Sequence, residues 1–93
     1  MDTRNIEELD PFRNESFPDD IQVVLRNKGD NPDEMLWVRI EGIMDVKPDV
    51  LICKLISASY YDEEYVEGAM VGVKYFGDDS TVKIIGMLKR REK

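Results

Sequence analysis

The sequence has no histidine, one cysteine and one tryptophan. Without histidine the usual general base near neutral pH is missing, as is the commonest ligand for zinc and other transition metals, so triads and zinc sites built on it are excluded. A lone Cys53 cannot make an internal disulfide, which rules out a secreted disulfide scaffold. It sits between Ile52 and Lys54, on the same side as Leu51 and Leu55. No neighbour would depress its pKa, and it reads as a buried structural thiol. No apolar run approaches the roughly 18 residues needed to cross a bilayer. Residues 1–8 lack the basic-then-apolar layout of an export signal, so the expected location is cytoplasmic.

Positive charge is also scarce. The 93 residues carry 13 Lys and Arg against 20 Asp and Glu, a formal charge of −7. Four of those cations, Lys89, Arg90, Arg91 and Lys93, form a basic tail, so the rest of the chain is more acidic than the total suggests. Such a surface repels phosphate backbones and anionic membranes and steers basic partners towards it. The hydrophobic content of 42% and the charged content of 35% fit one small globular domain.

What is present is alternation. In 34–42, Leu36, Val38 and Ile40 point one way while Trp37, Arg39 and Glu41 point the other, as side chains do along an extended chain. Similar runs at 20–26, 50–57, 69–76 and 81–88 predict four more strands, and 50–57 is apolar on both faces, as a central strand should be. The inward sets are Ile21, Val23 and Leu25, then Val71, Val73 and Tyr75, then Val82, Ile84 and Leu88, with Ile85 and Met87 on the back. Gly86 marks a bend or bulge. Polar turns fall at 27–33 and 77–80, and Pro48 bars helix in the connection before strand three. The segment 59–68 has a Ser cap, an acid three residues on and a closing glycine, compatible with a two-turn helix or an ordered loop.

Residues 1–19 read as an acidic, irregular arm. Ile6 and Leu9 allow one helical turn before Pro11 stops it, and Phe12 and Phe17 are expected to pin the arm to the body. The fold class that follows is all-β: a five-stranded antiparallel small barrel, SH3-like, over 20–88, with at most one short helix and a basic tail at 89–93. An open meander with the arm or the tyrosine segment across one face is the second choice. It would cover the apolar back positions Val24, Trp37, Ile52, Ile56 and Ile85.

The run Glu34-x-x-Trp37-Val38-x-Ile40, with Gly68-x-x-Val71-x-Val73 some thirty residues on, resembles a family of small bacterial domains, domain of unknown function family 2314. The resemblance implies a compact strand-rich module and no activity. The stretch Ile56-Ser57-Ala58-Ser59 departs from it in lacking the expected Asn and Pro.

Three features bear on chemistry. Asp62, Glu63, Glu64 and Glu67, or Asp78 with Asp79, supply carboxylates, but adjacency in sequence is not a shared cleft, and a solvated loop is the expected state. Asp30, Asp33 and Glu34 lack the alternating ligands and central glycine of an EF-hand. Gly68, Gly72 and Gly77 have no following P-loop lysine. No catalytic, metal or cofactor residues are assigned. The best binding candidates are Tyr60, Tyr61, Glu64 and Tyr65, aromatic anchors among carboxylates, with Trp37 and Phe76 as further rings. The expected role is a non-enzymatic protein-interaction module for a partner with a basic surface. Alternatives are a phage- or plasmid-type inhibitor that mimics nucleic-acid charge and a small single-stranded nucleic-acid binder. The apolar back positions also suggest a homodimer.

Overall fold

Five strands form where the alternation placed them: β1 (Asp20–Leu25), β2 (Glu34–Ile43), β3 (Val50–Leu55), β4 (Met70–Phe76) and β5 (Thr81–Met87). This computed structural model describes residues 3–47 and 49–88, so Pro48 and the basic tail lie outside the described residues. The strands run in sequence order around a closed barrel with β3 in the middle of the order. The open meander is thereby excluded. Four neighbouring pairs are antiparallel, but β1 meets β5 in parallel. The all-antiparallel expectation fails there for a simple reason: in an up-and-down order with an odd number of strands, the first and last must run the same way.

The interior is built from the inward sets. Ile21, Val23, Val38, Cys53, Leu55, Val71 and Val73 are fully buried, with Leu36, Ile40, Leu51, Val82 and Ile84 beside them. Burial, and then the charge of Glu41, push the Cys53 thiol up to about 12, so it is neutral at physiological pH. Two bulges adjust the wall. One sits between Ile40 and Gly42 and turns Ile43 onto the core, opposite Leu51. The other, between Ile84 and Gly86, inverts the end of β5. After it Met87 stands opposite the inward Val71, while the Leu88 side chain lies over Gly72 on the outer face. The assignment of Leu88 inward and Met87 outward is corrected accordingly, because one extra residue reverses every later side chain. A methyl group at Gly72 would lie 3.4 Å from Val50 and Ile85 and 3.6 Å from Leu88, so these side chains close over a small apolar spot outside the barrel.

The arm is part of the core. It forms two 3-10 helices, Thr3–Asn5 and Glu7–Phe12, where one helical turn was allowed for. Pro11 stands inside the second, since its fixed φ suits a tight helix and the bond it forgoes is one the short run can spare. Among the described residues there is no α-helix. Leu9 is 1% exposed within the central cluster, and Ile6 and Phe12 pack against it. Phe17 is 60% exposed and pins nothing, contrary to expectation. The arm is held instead by Arg13, whose guanidinium donates to the carbonyls of Pro18 (2.7 Å), Thr3 (2.8 Å) and Ile6 (3.2 Å) and to Asp10 Oδ1 (2.9 Å). Arg13 also bridges to Ile21 on the edge of β1. Nearby, the buried Asp20 takes two bonds from Arg39 across the β1–β2 pair, at 2.7 and 3.1 Å.

Candidate functional cleft

The barrel order sends three chain segments to one end: the β1–β2 loop, the long β3–β4 connection and the end of β5. The connection at 59–68 is an ordered loop, not a helix. The Ser59 amide donates to the Tyr65 carbonyl at 2.8 Å and draws the loop ends together, which a continuing helix could not allow. The cap signature was nonetheless real: Ser59 Oγ accepts from the amides of Tyr61 (3.1 Å) and Asp62 (3.0 Å), and Asp62 Oδ1 accepts from the amide of Glu64 (3.0 Å). Gly68 ends the loop at φ +94, a conformation suited to glycine.

Glu34, at the start of β2, joins this loop to the other one. Its Oε1 accepts from the Ser59 hydroxyl and from Asn27 Nδ2 (3.0 Å), and its Oε2 accepts from the Tyr60 amide (2.7 Å). Asn27 Nδ2 also donates to the Pro32 carbonyl at 2.9 Å, which folds the β1–β2 loop back on itself. The result is a cleft of about 670 Å³. Asn27, Lys28 and Asn31 form one lip, and Tyr61, Asp62, Glu63 and Glu64 form the other. Tyr60 and Tyr61 meet edge to face, ring centres 5.0 Å apart at 85°. They are 85% and 41% exposed. Among the described residues no ion pair engages Asp62, Glu63 or Glu64.

Of the residues singled out from sequence, this geometry gathers Tyr60, Tyr61 and Glu64. Tyr65 turns inward and packs against the core; burial first, then the charges of Asp62 and Glu64, push its hydroxyl above the usual value. Trp37 is half-buried on the outer wall, where its amide donates to Ser57 Oγ at 2.8 Å. Phe76 lies at the opposite end, at the close of β4, beneath the ammonium groups of Lys83 (5.0 Å) and Lys74 (5.5 Å). The sequence reading missed Glu34 and the asparagine lip. A signal for Glu34 existed, because it has the same parity as Leu36, Val38 and Ile40, and a carboxylate on the core side needs donors. Nothing local placed Asn27 and Asn31 opposite the tyrosines, since that depends on which loops share an end.

Burial pushes the Glu34 carboxyl up, but the bonds from Ser59, the Tyr60 amide and Asn27 outweigh it, and the net value lies below the ordinary one. A carboxylate whose folded value is depressed contributes stability that is present above its unfolded value, near 4.5, and is lost as pH falls through the folded value. Glu34→Gln should therefore remove one component of acid destabilisation from a stability–pH curve. Glutamine has one acceptor oxygen, so it cannot accept both from the Tyr60 amide at one former oxygen and from Ser59 and Asn27 at the other, and the NMR signals of Tyr60 and Asn27 should also move at neutral pH. If both readouts match the wild type, Glu34 does not organise the cleft.

Among the described residues no group of acidic or cysteine side chains is placed to hold a metal ion, and no helix is long and apolar enough to cross a membrane. Set against known proteins, the chain matches no family model, no curated protein and no solved structure.

Proposed function

We propose that this chain is a non-enzymatic, cytoplasmic interaction module, an SH3-like barrel whose tyrosine cleft receives a basic or amide-rich segment of another protein. The observation that carries this reading is the pairing of two exposed, edge-to-face rings with Asp62, Glu63 and Glu64, none of them ion-paired among the described residues, across from an asparagine lip. Rigid aromatic area, unspent carboxylates and amide donors are the materials of a recognition patch for cationic peptide. The likeness to family 2314 brings no activity with it, so the reading rests on this surface alone.

The same carboxylates favour one alternative, an inhibitor that presents nucleic-acid-like charge to a basic groove. Salt separates the two. With a partner captured on immobilised protein, Tyr61→Ala should weaken binding by at least about tenfold if the ring anchors the contact. Moderate salt should then leave most of the binding intact. Loss of all binding by moderate salt, with Tyr61→Ala neutral, would establish the charge mimic instead. A single-stranded nucleic-acid role is opposed by the sign of the charge.

A further inference from the structure

The tyrosine cleft has acceptors on both lips, and on the asparagine side the acceptor is fixed in place. Asn27 donates from Nδ2 to the Pro32 carbonyl and to Glu34 Oε1, and neither Pro32 nor Glu34 lines the cleft. Both partners only accept, so the amide cannot turn over without setting Oδ1 against a carboxylate. Oδ1 is therefore the polar side-chain atom that Asn27 has left for a ligand, and among the described residues no donor meets it. On the other lip Asp62 uses Oδ1 for the Glu64 amide and keeps Oδ2. Lys28, the one cation of the lining, pairs with none of Asp62, Glu63 and Glu64 among the described residues.

The ring beside these carboxylates is held ready. The Tyr60 amide is tied to Glu34 and the Tyr61 amide to Ser59 Oγ, which fixes the backbone that carries both rings. The two rings meet edge to face, so whichever gives its edge, one face of Tyr61 stays clear of Tyr60. Tyr61 is also the ring that lines the cleft. We propose that the cleft takes an arginine side chain of the incoming segment in preference to a lysine, an inference that rests on reading this cleft as a site for a basic segment. The guanidinium lies on the Tyr61 face and directs N–H groups to the acidic lip, while a further N–H of the segment, from the same fork or from its main chain, meets Asn27 Oδ1. A guanidinium is flat and weakly hydrated, stacks on aromatic faces, and fits a carboxylate with two parallel bonds. An ammonium is a strongly hydrated point charge with its donors on one atom. Charge alone would not separate the two, since each brings one positive charge to the same three carboxylates.

The test uses the full chain, ¹⁵N-labelled, titrated at one salt concentration with the synthetic peptides acetyl-Gly-Arg-Gly-Arg-Gly-Arg-Gly-amide and its all-lysine counterpart. Saturable shifts at Asn27, Tyr61 and Glu64 are expected, with the arginine peptide binding about fivefold or more tighter than the lysine peptide. Tyr61→Leu should bring the two peptides within about twofold of each other. A ring with a merely structural role would weaken both and leave their ratio unchanged. Equal or tighter binding of the lysine peptide overturns the preference for arginine and leaves the basic-segment reading standing. An arginine preference that survives Tyr61→Leu likewise overturns the proposal. No saturation with either peptide at millimolar concentration, or shifts confined to residues outside 27–31 and 60–64, would remove both the proposal and the reading beneath it.

Discussion

Replacing Leu9 by alanine is expected to lower the stability of the whole domain by about 2–5 kcal/mol, the range for removing a buried leucine side chain. The residue belongs to a segment with the composition of a loose leader, so the magnitude is diagnostic. A leucine on a dangling arm would cost nothing. This one is 1% exposed and belongs to the cluster that includes Ile21 and Leu55. The urea midpoint should fall sharply with little change in slope, as it does when stability rather than compactness changes. Phe17→Ala, at an exposed position of the same arm, should stay within about 0.5 kcal/mol of the wild type. Equal and small effects for the two substitutions would show that the arm does not belong to the cooperative unit.

The second large effect is expected at Arg13. Its side chain is 10% exposed, and its guanidinium serves three main-chain carbonyls besides Asp10. Arg13→Leu keeps much of the volume but strands the Pro18 carbonyl, at about 1–3 kcal/mol for an acceptor buried without a donor, and leaves the Thr3 and Ile6 carbonyls only their longer bonds from the Ile6 (3.3 Å) and Leu9 (3.2 Å) amides. A loss of about 2–3 kcal/mol is the expectation, read from urea unfolding. Arg13→Lys should recover only part of it, because one ammonium cannot reproduce the spread of a planar fork across three carbonyls. Limited proteolysis adds a local readout: in Arg13→Leu, cleavage within 3–19 should quicken ahead of cleavage in the strands. Full rescue by lysine would refute the geometric part of the argument.

The barrel was legible because burial and alternation coincide. Leu36, Val38 and Ile40 read as inward and are inward, and the two-faced run at Val50–Leu55 is the middle strand. What escaped depended on information the alternation does not carry. A bulge shifts parity, so Met87 and Leu88 exchange faces although Gly86 marks the place. In the arm, hydrophobicity favoured Phe17 as an anchor, whereas the burial went to Leu9 and the tether is a cation among carbonyls. Two of six expected residues, Tyr61 and Glu64, line the cleft, and Tyr60 stands against Tyr61, because the three share one loop. Phe76 is separated by the length of β4, and Trp37 stands on the wall.

An odd number of strands also shapes how the chain must assemble. Each antiparallel neighbour is reached by a connection from the strand before it, so these pairs can zip locally, one turn at a time. The contact between Val24 and Lys83 has no such route and must await the meeting of distant parts of the chain. Loop-closure entropy is therefore concentrated in the last joint. That joint is the latest to form in folding and the first to part when the native state breathes.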